Sequence, residues 1–396
     1  MSDKLCILPW ISTEIDPTGR FSPCCLFKDT IKKENGKEYK IQNGDSVQDA
    51  FRSKYMDQLR KDFLDNKKPK ACSDCWTLEK SGGTSKRMHS NNIFGNKNLN
   101  DPNLVFLDLK FGNICNLKCR ICGSHSSSKW AQEEMKLYDD GGRSETNARI
   151  ALKEGAWPRQ TEKFWQDLIP LLPQITYMEF TGGEPMMIQQ HFDLLDISKK
   201  EGWCAKQKIH YNTNGTHYPE YAVKHIWPYF KNVEIAFSID DLDKRFEYQR
   251  YGADWHLVNK NIQKFHEFRK QHKNITTQVC STINIFNVYN FEDLAVWIDQ
   301  QKFNFVFINF LHNAKEWCIK YLPQQYKDKI NQKLSKYHGP DSLKPEVDNI
   351  LNFMNNDIDQ LDWVNGSRTM KILASDKFRN ENFYSVFPEY KGLLDA

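Results

Sequence analysis

Three thiols stand close together in the stretch Cys115-Asn-Leu-Lys-Cys119-Arg-Ile-Cys122, a C-x3-C-x2-C spacing that directly follows the apolar run Leu104-Val-Phe-Leu-Asp-Leu-Lys-Phe. Three thiolates on one short loop can hold three irons of a cubane cluster. The fourth iron is then left without a protein ligand. A structural zinc site is normally closed by four protein ligands, and an electron-transfer cluster is usually held by four cysteines. A three-thiol loop therefore leaves one coordination position for a substrate or cofactor.

A second set of thiols lies nearer the N-terminus: Cys6, Cys24, Cys72 and Cys75. Four thiolates suit a zinc ion and equally a fully ligated iron–sulfur cluster. Residues 13–25 read as a strand, a turn at Asp16-Pro-Thr-Gly19 and a returning strand, which brings Cys24 near Cys6. Gly19 is suited to a positive-φ turn position. Cys25 is an alternative to Cys24, because adjacent strand residues point to opposite faces. Cys204, Cys280 and Cys318 are isolated and read as buried core thiols. Seven of the 11 cysteines fall into spaced clusters, which favours metal over disulfides in a reducing compartment.

The elements that must position these thiols follow from periodicity. Apolar runs occur at 104–111, 175–180, 208–211, 232–239, 275–286 and 304–310, with helical patterns at 187–201, 255–271 and 290–301 between them. Alternating strands and helices imply an α/β fold with a parallel sheet and outer helices. Six such units make a partial (β/α)6 barrel of TIM type. Chemistry in such folds gathers where strands end. The first strand runs into the cysteine triplet and the second into Thr181-Gly-Gly-Glu-Pro185. The third ends at Asn212-Thr-Asn-Gly215, the fourth at Ser238-Ile-Asp240, the fifth at Ser281-Thr-Ile-Asn284 and the sixth at Asn309-Phe-Leu-His312. Gly182 and Gly183 allow backbone to approach a ligand, Glu184 adds an acceptor, and Pro185 stiffens the turn. His312 reads as a hydrogen-bonded structural histidine.

The other segments have plainer readings. Residues 46–64 carry an apolar stripe at helical spacing. Residues 77–103 are polar and read as a linker or surface connection. Residues 136–160, with Asp139-Asp-Gly-Gly-Arg and Glu154-Gly-Ala-Trp-Pro, read as a polar insertion in the first crossover. Helical patterns at 323–336 and 344–360 suggest a C-terminal helical extension, whose aromatic end at 378–390 should dock.

Composition sets the outer bounds. The chain has 396 residues, 39% of them hydrophobic and 13% aromatic, enough for a sizeable core. With 55 basic against 51 acidic residues the net charge is +4, which argues neither for nor against a polyanionic partner. The basic runs at 32–37 and 66–70 read as solvated loops rather than nucleic-acid patches. No run of ~18 apolar residues and no signal-peptide core are found. A cytoplasmic protein without a membrane span is expected.

Taken together, residues 104–312 resemble the core domain of the radical SAM (S-adenosylmethionine) enzymes. The resemblance implies a [4Fe–4S] cluster on Cys115, Cys119 and Cys122, whose open iron chelates the amino and carboxylate groups of SAM. Reductive cleavage then yields a 5′-deoxyadenosyl radical that abstracts a substrate hydrogen atom. It implies cofactor contacts from Gly182, Gly183, Glu184 and Pro185, from Thr213, and from Ser238 and Asp240 in the S-I-D stretch. Arg250 is a candidate partner for the SAM carboxylate, with a surface arginine as its plain reading. Ile121 stands where most members carry an aromatic residue, and Asp241 where a glycine often follows. Cys6, Gly19, Cys24 and Cys72-x2-Cys75 resemble the SPASM/twitch auxiliary-cluster domain, here preceding the barrel rather than following it.

The implied organisation is an N-terminal SPASM/twitch-like domain over residues 1–100, a radical SAM core over 101–315 and a helical extension over 316–396. The expected activity is oxidative modification of a peptide or protein. One auxiliary [4Fe–4S] cluster would accept an electron, and a flavodoxin- or ferredoxin-like donor would supply the other. A radical SAM dehydrogenase or isomerase of a sugar or nucleotide is the alternative. Outside enzymes, the alternative is a zinc-binding partner platform built on a degenerate barrel.

Overall fold

The computed structural model describes residues 4–80, 84–96, 98–137, 141–356 and 363–395. The strands are β1 (Ser12–Ile15), β2 (Phe21–Ser22), β3 (Phe106–Lys110), β4 (Lys118–Cys119), β5 (Tyr177–Thr181), β6 (Lys208–Thr213), β7 (Asn232–Ser238), β8 (Arg250–Tyr251), β9 (Ile275–Ile283) and β10 (Phe305–Phe310). All six expected runs thus form strands. The expected intervening helices form at Gln189–Lys200, Trp255–Gln271 and Phe291–Gln301. Chain contacts divide the protein into two compact units. One comprises Met1–Cys115, Arg149–Tyr211 and Pro219–Glu234; the other comprises Asn116–Ala148, Asn212–Tyr218 and Ile235–Ala396.

In the first unit the sheet order is β2–β1–β3–β5–β6. The hairpin β1–β2 is antiparallel, whereas β1, β3, β5 and β6 run parallel. The hairpin turn is the expected one: Gly19 has φ +80°, and Asp16 Oδ1 accepts from Thr18 N at 2.8 Å. The N-terminal cysteine segment is therefore stitched into the sheet through β1. One face of this sheet is apolar: Leu107, Leu109, Met178, Phe180, Ile209 and Tyr211 are all at most 1% exposed. Phe111, Trp157, Trp165 and His191 pack together there, with Phe111 stacked on Phe180 at 5.2 Å. Fully burying each such aromatic contributes about 1.5–3 kcal/mol. His191 belongs to this core: burial lowers its pKa to about 3, and it lies 3.1 Å from Tyr211 OH.

Two segments differ from their sequence reading. The stretch 77–103 is no plain linker, since it holds the end of helix Ser73–Lys80 and the helix Lys86–Phe94. Ser85 caps the latter by accepting from Met88 N at 3.1 Å. Arg87 pins it to Glu79 at 2.7 Å and to Leu5 O at 2.7 Å. Such tertiary anchors outweigh a polar composition. The insertion at 136–160 is likewise helical over Arg143–Gly155 and Trp157–Gln160, and Trp157 is fully buried. Its Asp139 and Asp140 lie outside the described residues.

In the second unit β9 and β10 pair in parallel, and β4 and β8 form a short antiparallel ladder. Residues 46–64 of the first unit form two helices, Val47–Phe51 and Lys54–Leu64, capped by Ser46 and Ser53. The C-terminal helices are Gln324–Leu334, Lys344–Asn355 and Trp363–Arg379. Residues 357–360 of the expected second helix lie outside the described set. Phe383, Phe387 and Tyr390 are buried, so the aromatic end docks. Among the described residues no helix is long and apolar enough to cross a membrane.

Candidate cluster and cofactor sites

In the first unit the chain leaves β3 through Phe111–Ile114 and reaches Cys115, which is buried. The Gly182-Gly183-Glu184 stretch lies directly on this stem. Gly183 N donates to Gly112 O at 3.1 Å, and Glu184 N donates to Ile114 O at 2.8 Å. A Cβ at Gly182 would stand 2.5 Å from Phe111 N, and one at Gly183 would stand 2.3 Å from Ile114 O. The two glycines thus let two loop backbones touch, a need independent of any ligand. Gly183→Ala is expected to destabilise the chain by about 1–3 kcal/mol through overpacking, read as a lower urea midpoint. An unchanged midpoint would show that the contact yields freely.

The stem is braced from behind. Gly112, at φ +61°, leaves room for Gly155 O, which a Cβ would approach to 1.9 Å. Asn113 N donates to Gly155 O at 3.1 Å, and Asn113 Nδ2 donates to Ala151 O at 3.0 Å. The Glu154-Gly-Ala-Trp-Pro stretch is therefore a brace for the cysteine loop. Glu184 is fully buried, with Oε1 accepting from Met186 N at 3.1 Å, and Pro185 is buried at the start of a 3-10 turn.

In the second unit Cys119 lies on β4, opposite Arg250 on β8. A hydrogen bond with Cys122 lowers its pKa to about 7 against the effect of burial, helped by the nearby Arg250 and Arg379. Arg250 is no surface residue. Its guanidinium pairs with Asp240 at 2.6 Å, its Nη1 lies 3.9 Å from Cys119 Sγ, and its buried Nε has no partner. Asp240 also accepts from Thr282 N at 2.9 Å. Asp241 is fully buried and pairs with Arg245 at 2.9 Å while accepting from Leu242 N at 2.8 Å. That explains how an aspartate is accommodated after Ser238-Ile-Asp240. Ser238 and Ile121 are half-buried, and Cys122 is exposed.

Thr213 is buried and accepts from Gly215 N at 3.2 Å. Asn214 and Thr216 grip Asn116 of the cysteine loop, through Asn214 Nδ2 to Asn116 Oδ1 at 3.0 Å and Asn116 Nδ2 to Thr216 Oγ1 at 3.0 Å. Sequence reasoning passed over Asn116, and its place between Cys115 and Leu117 was the available signal. Arg120 was also missed. It is 2% exposed at its side chain and pairs with Asp376 at 2.6 Å and Glu381 at 2.7 Å.

The N-terminal thiols gather within the first unit. Cys6, Cys24, Cys72 and Cys75 line one small cavity with Phe63 and Arg87. Burial pushes Cys6 up to about 12, reinforced by Cys72 and Cys75, and burial pushes Cys72 up to about 12, reinforced by Cys75. Cys6 and Cys72 so placed stay protonated until a metal displaces the protons. A soft, thiolate-rich donor set suits an iron–sulfur cluster or zinc. Among the described residues no group of three or more His, Cys, Asp or Glu closes on a single ion. Cys25 is turned to Lys86 instead, with Nζ 2.9 Å from its Sγ. Cys24→Ser is expected to lower the iron or zinc bound at this cavity, whereas Cys25→Ser should retain it. The reverse pattern would exchange their roles. Cys204 and Cys318 are buried, whereas Cys280 is only half-buried and accepts from Gln278 Nε2 at 3.1 Å, and His312 packs edge-on to Phe353 at 4.9 Å.

Comparison with known proteins adds three findings. Residues 6–76 match the SPASM family model, described as an iron–sulfur cluster-binding domain. A search of curated proteins found no match. Among solved structures, histidine-tagged anSMEcpe with bound AdoMet is 16% identical at a TM-score of 0.40, covering 59% of this chain and 58% of that one. Native anSMEcpe with bound AdoMet and the Cp18Cys peptide is 15% identical at a TM-score of 0.36, covering 59% of each chain. Streptococcus suis SuiB bound to S-adenosylmethionine is 13% identical at a TM-score of 0.34, covering 85% of this chain and 69% of that one. The chain thus spans about three fifths of the anSMEcpe chains it matches.

Proposed function

We propose that this chain is a radical SAM enzyme. In this reading Cys115, Cys119 and Cys122 hold a [4Fe–4S] cluster with one open iron, and Cys6, Cys24, Cys72 and Cys75 hold an auxiliary [4Fe–4S] cluster. The observation that carries the reading is the stem of the cysteine loop. The C-x3-C-x2-C stretch follows a parallel strand through residues 111–114, where Gly112 O and Ile114 O accept from Gly183 N and Glu184 N at the end of the next strand. The SPASM match over residues 6–76 supports a cluster over zinc at the N-terminal thiols.

The cluster would supply the electron that splits SAM into methionine and a 5′-deoxyadenosyl radical, which then takes a hydrogen atom from substrate. The chain's own residues bind and orient. Gly182, Gly183, Glu184 and Pro185 form the turn that receives the methionine amino group. The Arg250 guanidinium is held by Asp240 and keeps a buried Nε free to donate to a carboxylate. Thr213, Ser238 and Ile121 would flank the nucleoside. The substrate we assign is a peptide or protein undergoing oxidation, with the auxiliary cluster taking the second electron and a flavodoxin- or ferredoxin-like protein delivering the first.

Anaerobically reconstituted protein should contain ~8 irons per chain, as two cubanes require, and should release 5′-deoxyadenosine from SAM under a strong reductant. Protein with full iron that releases none would overturn the assignment. Four irons with bound zinc would remove the auxiliary cluster alone.

A further inference from the structure

The polar face of the first unit's sheet carries a row of ionisable side chains that borders the N-terminal thiol cavity and shares only Lys86 with it. Register places Glu14 beside Asp108, Asp108 beside Glu179, and Glu179 beside His210. His210 Nδ1 lies 2.9 Å from Glu234 Oε2, which extends the row onto β7. Two lysines reach it: Lys110 pairs with Glu14 at 2.6 Å, and Lys86 lies 3.6 Å from Asp108 and 3.7 Å from Glu179.

Three observations set this row apart from a structural ion-pair network. First, four carboxylates meet two ammonium groups and one imidazole, so negative charge is left over in a largely desolvated place. Burial and the neighbouring Glu179 raise Asp108 to about 7, consistent with that shortage of cations. Second, the row is reachable from outside: the side chains of Glu179 and Glu234 are each 22% exposed, while the opposite face of the same strands is dry. Third, Thr181 pairs in register with Lys110, two residues further along the same face, and its Oγ1 is buried with no hydrogen-bond partner. Gly182 follows immediately. Two residues of strand span ~7 Å, so a group lying on this row sits just beneath the turn assigned to SAM.

We infer that this row is the floor of the substrate site and that it binds a positively charged group, an ammonium or guanidinium on a peptide side chain. The inference rests on the proposed function for where the reaction happens, but not for what binds. Glu179 and Glu234 offer the accessible oxygens, Thr181 Oγ1 a neutral acceptor, and Lys86 and Lys110 hold the deeper carboxylates in place. A charge-assisted hydrogen bond in such a site is about twice as strong as a neutral one.

The test is calorimetric titration of the reconstituted, SAM-loaded protein without reductant, using agmatine and N-acetyl-lysine methylamide as cationic probes and glutarate as the anionic one. The cationic probes should bind and glutarate should not. Glu179→Gln and Glu234→Gln should each weaken the cationic probes about tenfold, roughly one charge-assisted contact, while the distant surface variant Glu201→Gln changes nothing. Thermal denaturation of each variant separates a folding defect from a lost contact. Equal binding of glutarate and agmatine, or unchanged agmatine binding in folded Glu179→Gln and Glu234→Gln, would overturn the inference. Because no turnover is involved, a wild-type chain that binds agmatine but fails to cleave SAM would count against the proposed function and in favour of this site.

Discussion

Cys119→Ala is expected to abolish release of 5′-deoxyadenosine and to reduce bound iron from ~8 to ~4 per chain. Two thiols cannot hold a cubane that three hold with one position to spare. The loss should be of function more than of fold. Cys119 is buried, but its replacement removes one sulfur from a two-residue strand whose partner backbone, at Arg250, is unaffected. Substitutions of that size typically cost on the order of 1 kcal/mol. The remaining iron should belong to the N-terminal thiols, so the double variant Cys119→Ala/Cys24→Ser should lose part of it. Iron and sulfide analysis beside chromatography of the nucleoside products reads all of this. A folded Cys119→Ala chain that still cleaves SAM at the wild-type rate would remove the triplet from the mechanism.

Arg120→Met should have the largest effect on stability. Arg120 Nη2 lies 2.6 Å from Asp376 Oδ1 and 2.7 Å from Glu381 Oε2, and the guanidinium stacks 3.6 Å from the centre of the Tyr248 ring. Removing one partner of a buried pair leaves the other charge without compensation, a cost of about 3–5 kcal/mol. Asp376 keeps bonds from Tyr248 OH at 2.8 Å and Phe383 N at 2.6 Å, so the cost should fall toward the lower end of that range. Glu381 is already raised by burial and has less to fall back on. Arg120→Lys should rescue only partly, because an ammonium reproduces neither the fork nor the stacking. Urea unfolding gives the result directly. A midpoint for Arg120→Met equal to wild type would show that the network contributes nothing.

The strands were legible because each is a compact apolar run, and the gathering of Cys6, Cys24, Cys72 and Cys75 was legible because thiols at close spacing have few other uses. Lys86 was not legible. Its helix, Lys86–Phe94, is polar, and what fixes it is Arg87 reaching Glu79 and Leu5, contacts that composition does not encode. Glycine was legible but its reason was incomplete. Gly182 and Gly183 invited a ligand on sequence, whereas their missing side chains also admit the backbone of Phe111–Ile114. Arg250 was left between cofactor partner and surface residue, and its pairing with Asp240 depends on a turn that no period reveals. The acidic row was invisible for a simpler reason. Glu14, Asp108, Glu179 and His210 lie on four separate strands, and only the register brings them side by side.

The bond between Arg120 and Asp376 joins residues 256 positions apart. During synthesis, at ~5–20 residues per second, the three thiols of the loop emerge well over ten seconds before the carboxylates that fasten their neighbour. In that interval the loop's other tethers become available first: Asn214 and Thr216 for Asn116, and then β8 for β4. The order of translation thus makes the Arg120–Asp376 pair the last of the loop's tethers to form, once the helix Trp363–Arg379 has been made.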